Sequence, residues 1–410
     1  MRIACSFLAV VLVVAALSGQ KSDRVYVAAV DHPAIQYSSR PVHDAVSSLS
    51  GPLAFDEDSG YLKSLLAALE ISVESQITVF TQTGIQGRRT GPANPRALYF
   101  NDTTVVGWVR GGPFLEMVSQ DPEQGIIFYT LDQEKVEKPQ PERRVEPCLT
   151  CHESYNSLGV PGMLARSLFP SPMGEALYPL GSFLTDHRSP LEQRWGGWYV
   201  TGKVGANRHM GNAFVTDQDK PEAMVNEKTL QADSLAGKFD TRGFPSAYSD
   251  VVALMVFDHQ AHMSNLITRI AWETRVAIQE KRKVEAAQEA KEFVDYLLFV
   301  DEAALKSPIE GVSGFAKKFA SLGPFDGKGR SFRQFDLERR MMRYPCSYMI
   351  YTEAFDAIPA PAKDAIYQRM WQILSGGDKD PKYSRLSPAD RRAVIEILRD
   401  TKKDLPAYFQ

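Results

Sequence analysis

Cys148-Leu149-Thr150-Cys151-His152 sets two thiols and an imidazole within five residues. The spacing suits two thioether bonds to the vinyl groups of a haem, with the next residue's imidazole delivered to the iron as proximal ligand. In a chain of 410 residues with four cysteines and seven histidines, such a run arises by chance roughly once in a thousand chains. Cys148, Cys151 and His152 are therefore the expected attachment residues for one covalent haem c, with His152 on its iron.

Other uses of the two thiols fit less well. A zinc site needs a fourth ligand, yet there is no second Cys-x-x-Cys, and beyond the leader the remaining cysteine is Cys346. A redox dithiol opens a helix after a buried strand. Here the approach, Lys135 to Arg144, is charged and broken by Pro139 and Pro141. Cys346 has no partner for an intrachain disulfide and is expected to be a small buried hydrophobe.

The sixth iron position decides between electron transfer and chemistry at the metal, because a second strong ligand closes it. Met163, Met173, His187, His209 and Met210 lie nearby in sequence, with His259 and His262 further on, and chain reach excludes none of them. Met210 is favoured, in the Gly-bounded loop Arg208-His209-Met210-Gly211-Asn212, since a thioether raises the potential and suits a carrier. His209, His187 and His259 are the alternatives. His187 reads first as bonding a turn. His259 shares an apolar helical face with Val252, Met255, Met263, Leu266 and Ile270, where a core histidine satisfied by a hydrogen bond is the simpler expectation. Arg166, Arg188, Arg194 and Arg208 are candidates to neutralise haem propionates. Trp195 and Trp198 could line the haem or serve core and sheet.

The elements that must position these residues form an α+β pattern. Met1-Arg2, the apolar run Ile3 to Leu17 and Ser18-Gly19-Gln20 read as a signal peptide over 1–18, so the chain is expected to be exported, to the periplasm in a bacterium. An N-terminal α+β region follows over 19–147. Residues 21–59 lack periodicity, Tyr61 to Ile71 repeats as a helix, and Gln76 to Gln82 reads as a strand. Runs at Ala97–Phe100, Val105–Val109, Phe114–Val118 and Ile126–Leu131, separated by turn residues, imply an antiparallel β-meander. The haem-binding region, 148–248, is rich in loops, with one strand near Gly197 to Thr201. A helical C-terminal region, 249–410, carries patterns at Asp250–Glu280, Lys283–Asp301, Ala362–Leu374 and Ala389–Arg399, the last opened by Ser387-Pro388-Ala389-Asp390.

Composition narrows the partners. Net charge is −3, with no basic excess, so no nucleic acid is expected. The densest basic stretch, Lys328 to Arg343, is interleaved with Asp336 and Glu338 and reads as a solvated face. After the leader no apolar run reaches membrane-spanning length. Redox proteins are the expected partners.

The motif matches that of c-type cytochromes. Together with Arg194-Trp195-Gly196-Gly197-Trp198-Tyr199-Val200-Thr201-Gly202, Arg208 to Asn212 and Tyr344-Pro345-Cys346-Ser347-Tyr348, it resembles a group of exported bacterial cytochrome c domain proteins of uncharacterised function. The resemblance covers most of the chain after the leader and implies haem binding and electron-transfer potential. The chain departs from small cytochromes c in its length, its sheet before the motif and its helices after it. The expected function is a periplasmic monohaem electron carrier with no catalytic residue. The alternatives are a peroxidase- or oxidase-like enzyme with an open distal face and a haem-based sensor.

Overall fold

The computed structural model describes residues 29–409. The expected signal peptide, 1–18, lies outside the described residues. The protein is α+β: an antiparallel sheet built mainly from the N-terminal half precedes a helical C-terminal part.

Strands β1 (Ile77–Val79), β2 (Arg96–Phe100), β3 (Thr104–Trp108), β4 (Phe114–Asp121) and β5 (Gly125–Asp132) pair in sequence order as the expected meander. Its turns are fixed by short polar side chains: Asn101 Oδ1 accepts from the backbone N–H groups of Thr103 and Thr104, and Asp121 Oδ1 from those of Glu123 and Gln124. Strand β6 (Glu142–Arg144) extends the far edge beside β5. Its charged side chains give no apolar alternation, as befits an edge strand, so the charged run Lys135 to Arg144 carries no strand signal in the sequence. Strands β7 (Arg166–Leu168) and β8 (Ser182–Leu184) form a separate pair. Strand β9 (Trp198–Tyr199) comes from the motif-bearing region yet pairs with β1, giving the sheet order β6-β5-β4-β3-β2-β1-β9.

Among the helices, α1 (Leu62–Ala68) precedes the sheet, α2 (Cys148–His152) is the motif itself, and α3 (Glu227–Leu230) is a single turn. The long helix α4 (Val251–Gln279) starts at Asp250, whose carboxylate accepts from the backbone of Val252 and Ala253. Its periodicity implies one inward face. In fact it is buried around most of its circumference, because the sheet lies on one side and α5 (Ala286–Leu297), α6 (Phe315–Ala320), α7 (Glu353–Asp356) and α8 (Ala360–Leu374) pack on others. Helix α9 (Pro388–Thr401) follows, with Ser387 and Asp390 closing a capping box at its start.

One cross-strand row organises the face that meets α4. Phe100, Val105, Val118 and Phe128 are in register across β2 to β5. At one end the Phe100 ring lies 5.4 Å from Phe257 of α4, and at the other the Phe128 ring lies 5.0 Å from His152. The sheet and α4 thus share one apolar core, which also takes in Leu149 and Met163 from the motif-bearing region.

Candidate functional site

Helix α2 is just over one turn long, with Leu149 as its anchor in the core and its backbone N–H donating to the Val145 carbonyl. Cys148 and Cys151, three residues apart, share one face of that turn. Cys148 is half-buried, Cys151 is exposed, and both thiols are free. Burial, then the negative charge of Glu116, hold the Cys148 thiol above its usual pKa, while Arg144 opposes them.

His152 is fixed from both ends. Its backbone carbonyl accepts from the Gly162 N–H at 2.9 Å and from the Ser157 hydroxyl at 3.0 Å, while its Nδ1 lies 2.9 Å from the Gly162 carbonyl oxygen. A carbonyl only accepts, so Nδ1 carries the proton and Nε2 keeps its lone pair. No hydrogen-bond partner for Nε2 exists among the described residues. Burial lowers the pKa of the ring, partly offset by the Gly162 bond, so the imidazole is neutral near pH 7.

Gly162 owes its position to α4. Asn265 accepts from the Met163 N–H at 2.9 Å and donates to the Met163 carbonyl at 2.8 Å, clasping the chain directly after Gly162. A Cβ on Gly162 would lie 2.4 Å from Asn265 Oδ1. Only a bare backbone fits between His152 and α4 there.

The candidates for a sixth ligand do not gather around His152. Met210, 4% exposed, belongs to a separate apolar cluster with Ala213, Val215 and Met224, and its sulfur accepts the Ser167 hydroxyl at 3.6 Å. His209 is buried beside Trp195, and its Nδ1 accepts from the Gly211 N–H. His187 does not bond its own turn: its Nδ1 meets that of His259 at 2.7 Å, and His259 Nε2 meets the Ser347 hydroxyl at 2.7 Å. His259 is thus the core histidine that its apolar face suggested, and His262 lies against Arg188 and Asp186. Met163 is buried in the main core. Met173 alone of these thioethers stands out from the surface, 70% exposed. Its backbone carbonyl accepts from the Gln82 side chain, just beyond β1.

The arginines also separate. Arg194 is buried and committed to the carbonyls of His187 and Ser189, facing Asp258 at 3.7 Å. Arg188 chelates Asp186, Arg208 donates to Val225 and Arg166 to Ser182. Trp195 donates to Asp258 and Trp198 to the Arg166 carbonyl, so both indoles serve core and sheet. Sequence reasoning missed Arg96 and Glu116, joined at 2.8 Å on the sheet face that carries His152. They lie 20 residues apart, on β2 and β4, and no local spacing marks them. Cys346 is fully buried, and burial pushes its thiol well above the usual range.

Among the described residues, no group of three or more His, Cys, Asp or Glu side chains is disposed to hold a metal ion by itself. A cavity of about 310 Å³ between α1 and α6, lined by Leu66, Phe100, Phe315 and Phe319, contains none of the motif residues. Compared with known proteins, the chain matches no family model, no curated protein and no solved structure.

Proposed function

We propose that Cys148 and Cys151 bind one haem c through thioethers, that His152 ligates its iron through Nε2, and that the protein is an exported carrier of single electrons. One observation supports this most: the His152 Nδ1–H is spent on a carbonyl while Nε2 stays unpartnered, the orientation that a metal-ligating histidine takes from its surroundings. The two free thiols on the same turn fit the vinyl groups. A haem also needs few protein ligands, because the porphyrin supplies four nitrogens, so a lone imidazole suffices where a bare metal ion would lack donors. When bound, the haem supplies a one-electron Fe(III)/Fe(II) couple. The chain's part is to hold the imidazole neutral and aimed and to pack Phe128 against it.

A methionine at the sixth position suits a carrier. Met210, favoured by sequence, reaches the iron only if its loop leaves the cluster that buries it and gives up the Ser167 hydroxyl. Met173 is no nearer: its turn is held beyond β1 by Gln82, four strands from Phe128 of β5, on which the His152 ring rests. Met210 therefore stays the proposed sixth ligand.

The optical spectrum of the oxidised holoprotein tests the carrier reading. A near-infrared sulfur-to-iron band, unmoved by cyanide or peroxide at low concentration, supports it. A high-spin spectrum that shifts on adding either one overturns it in favour of an enzyme or sensor. The proposed partners are redox proteins; no helix of the described residues is long and apolar enough to cross a membrane.

A further inference from the structure

An ion pair, Arg96–Glu116, stands on the sheet face that carries His152. On β4, Glu116 stands opposite Thr130 on the same sheet face as Val118 and Phe128. Two residues along the strand, it is about 7 Å from the row on which the His152 ring rests. Arg96 comes from β2, two strands away, and its guanidinium crosses β3 to reach Glu116 Oε2 at 2.8 Å. The crossing is open because β3 offers only Gly107 between Leu98 and Glu116; a Cβ there would crowd Leu98 at 3.2 Å and Glu116 at 3.5 Å. Gln86 donates to the other carboxylate oxygen at 2.9 Å, which fixes Glu116 on its second side. Both side chains are about one-fifth exposed, so the pair is neither lost in solvent nor part of the apolar core.

We propose that Arg96 and Glu116 set the redox potential of the iron held by His152, Arg96 raising it and Glu116 lowering it. This rests on the haem reading above. The physical reason is Coulombic. Reduction removes one positive charge from the iron, so a nearby cation favours the ferrous state and a nearby anion the ferric. In partly buried surroundings such charges are screened far less than on an open surface. Held together, the two charges largely cancel; separated, each exposes the other. The electron comes from a donor protein, which is oxidised by one unit as the iron is reduced, and no bond breaks.

The test is a potentiometric titration of the haem-loaded protein with dithionite and ferricyanide, for the native chain and for Arg96→Gln, Glu116→Gln, Arg96→Lys and the double Gln variant. Arg96→Gln bares Glu116 and is expected to lower the midpoint potential; Glu116→Gln bares Arg96 and is expected to raise it. Arg96→Lys keeps the charge, and the double variant removes both, so each is expected close to the native value. Each single variant carries its own predicted sign, so either one that folds decides the matter. Absence of covalent haem in the native chain defeats the haem reading itself. Haem present with the two potentials unmoved, or moved in one common direction, overturns this inference alone.

Discussion

His152 Nδ1 and the Gly162 carbonyl oxygen lie 2.9 Å apart, closing a loop of ten residues whose far end is clasped by Asn265 of α4. The orientation of the imidazole is thereby tied to a helix that begins almost a hundred residues later. Replacing Gly162 with Ala drives a Cβ to within 2.4 Å of Asn265 Oδ1, so the clasp or the loop must move. The expected cost is about 1–3 kcal/mol of stability, read by urea unfolding, together with a shift in the haem absorption bands as His152 loses its fixed acceptor. Unchanged unfolding and unchanged bands contradict the role given to Gly162.

The two thioethers separate by simple replacement. Met210→Leu keeps the volume of a buried side chain and is expected to cost less than about 1.5 kcal/mol while abolishing the near-infrared band. Met173→Leu alters an exposed residue and is expected to leave stability within about 0.5 kcal/mol and the band in place. The reverse outcome, with the band kept in Met210→Leu and lost in Met173→Leu, moves the sixth position to Met173.

His209 gives a pH signature with a definite sign. Burial pushes its pKa from the ordinary 6.5 down to about 4, so the unfolded chain takes up this proton first as the solution is acidified. Its contribution is complete above about pH 6.5 and is lost as pH falls toward 4, amounting to about 3 kcal/mol over that window. Other buried groups act in the same range, among them Asp258 and Glu302, raised by burial to about 6 and about 7, which oppose the histidines. The native-minus-variant difference isolates one residue: His209→Gln is expected to flatten the unfolding free energy between pH 6.5 and 4 by close to one proton. Parallel curves for native and variant contradict a neutral buried His209, as does a native curve flatter than the variant's.

Much of the scaffold was legible because its signals are local. Four short β-branched and aromatic runs with Asn-Asp, Gly-Gly-Pro and Asp-Pro-Glu-Gln-Gly turns gave the meander, and Asp250 and Ser387 marked the starts of α4 and α9 through capping chemistry. Less visible was whatever depends on a distant partner. Strand β6 forms from Glu142, Arg143 and Arg144 only because β5 offers an edge, and β9 leaves the motif-bearing region to pair with β1. The candidate site divides the same way. Cys148, Cys151 and His152 fall within five residues and mark themselves as candidates, whereas Gly162, Asn265, Arg96 and Glu116 matter through tertiary contacts that no spacing announces. His187, His259 and Arg194 look available in a sequence but are consumed by one another's neighbourhood, in a buried polar network of their own.

The most direct measurement is the intact mass of the protein produced in a host able to mature c-type cytochromes, taken after acid and organic extraction that removes any loosely held porphyrin. The expected mass is the polypeptide plus one haem, with the increment lost when Cys148 and Cys151 are both replaced by Ala. A native chain weighing only its polypeptide contradicts the account at its root.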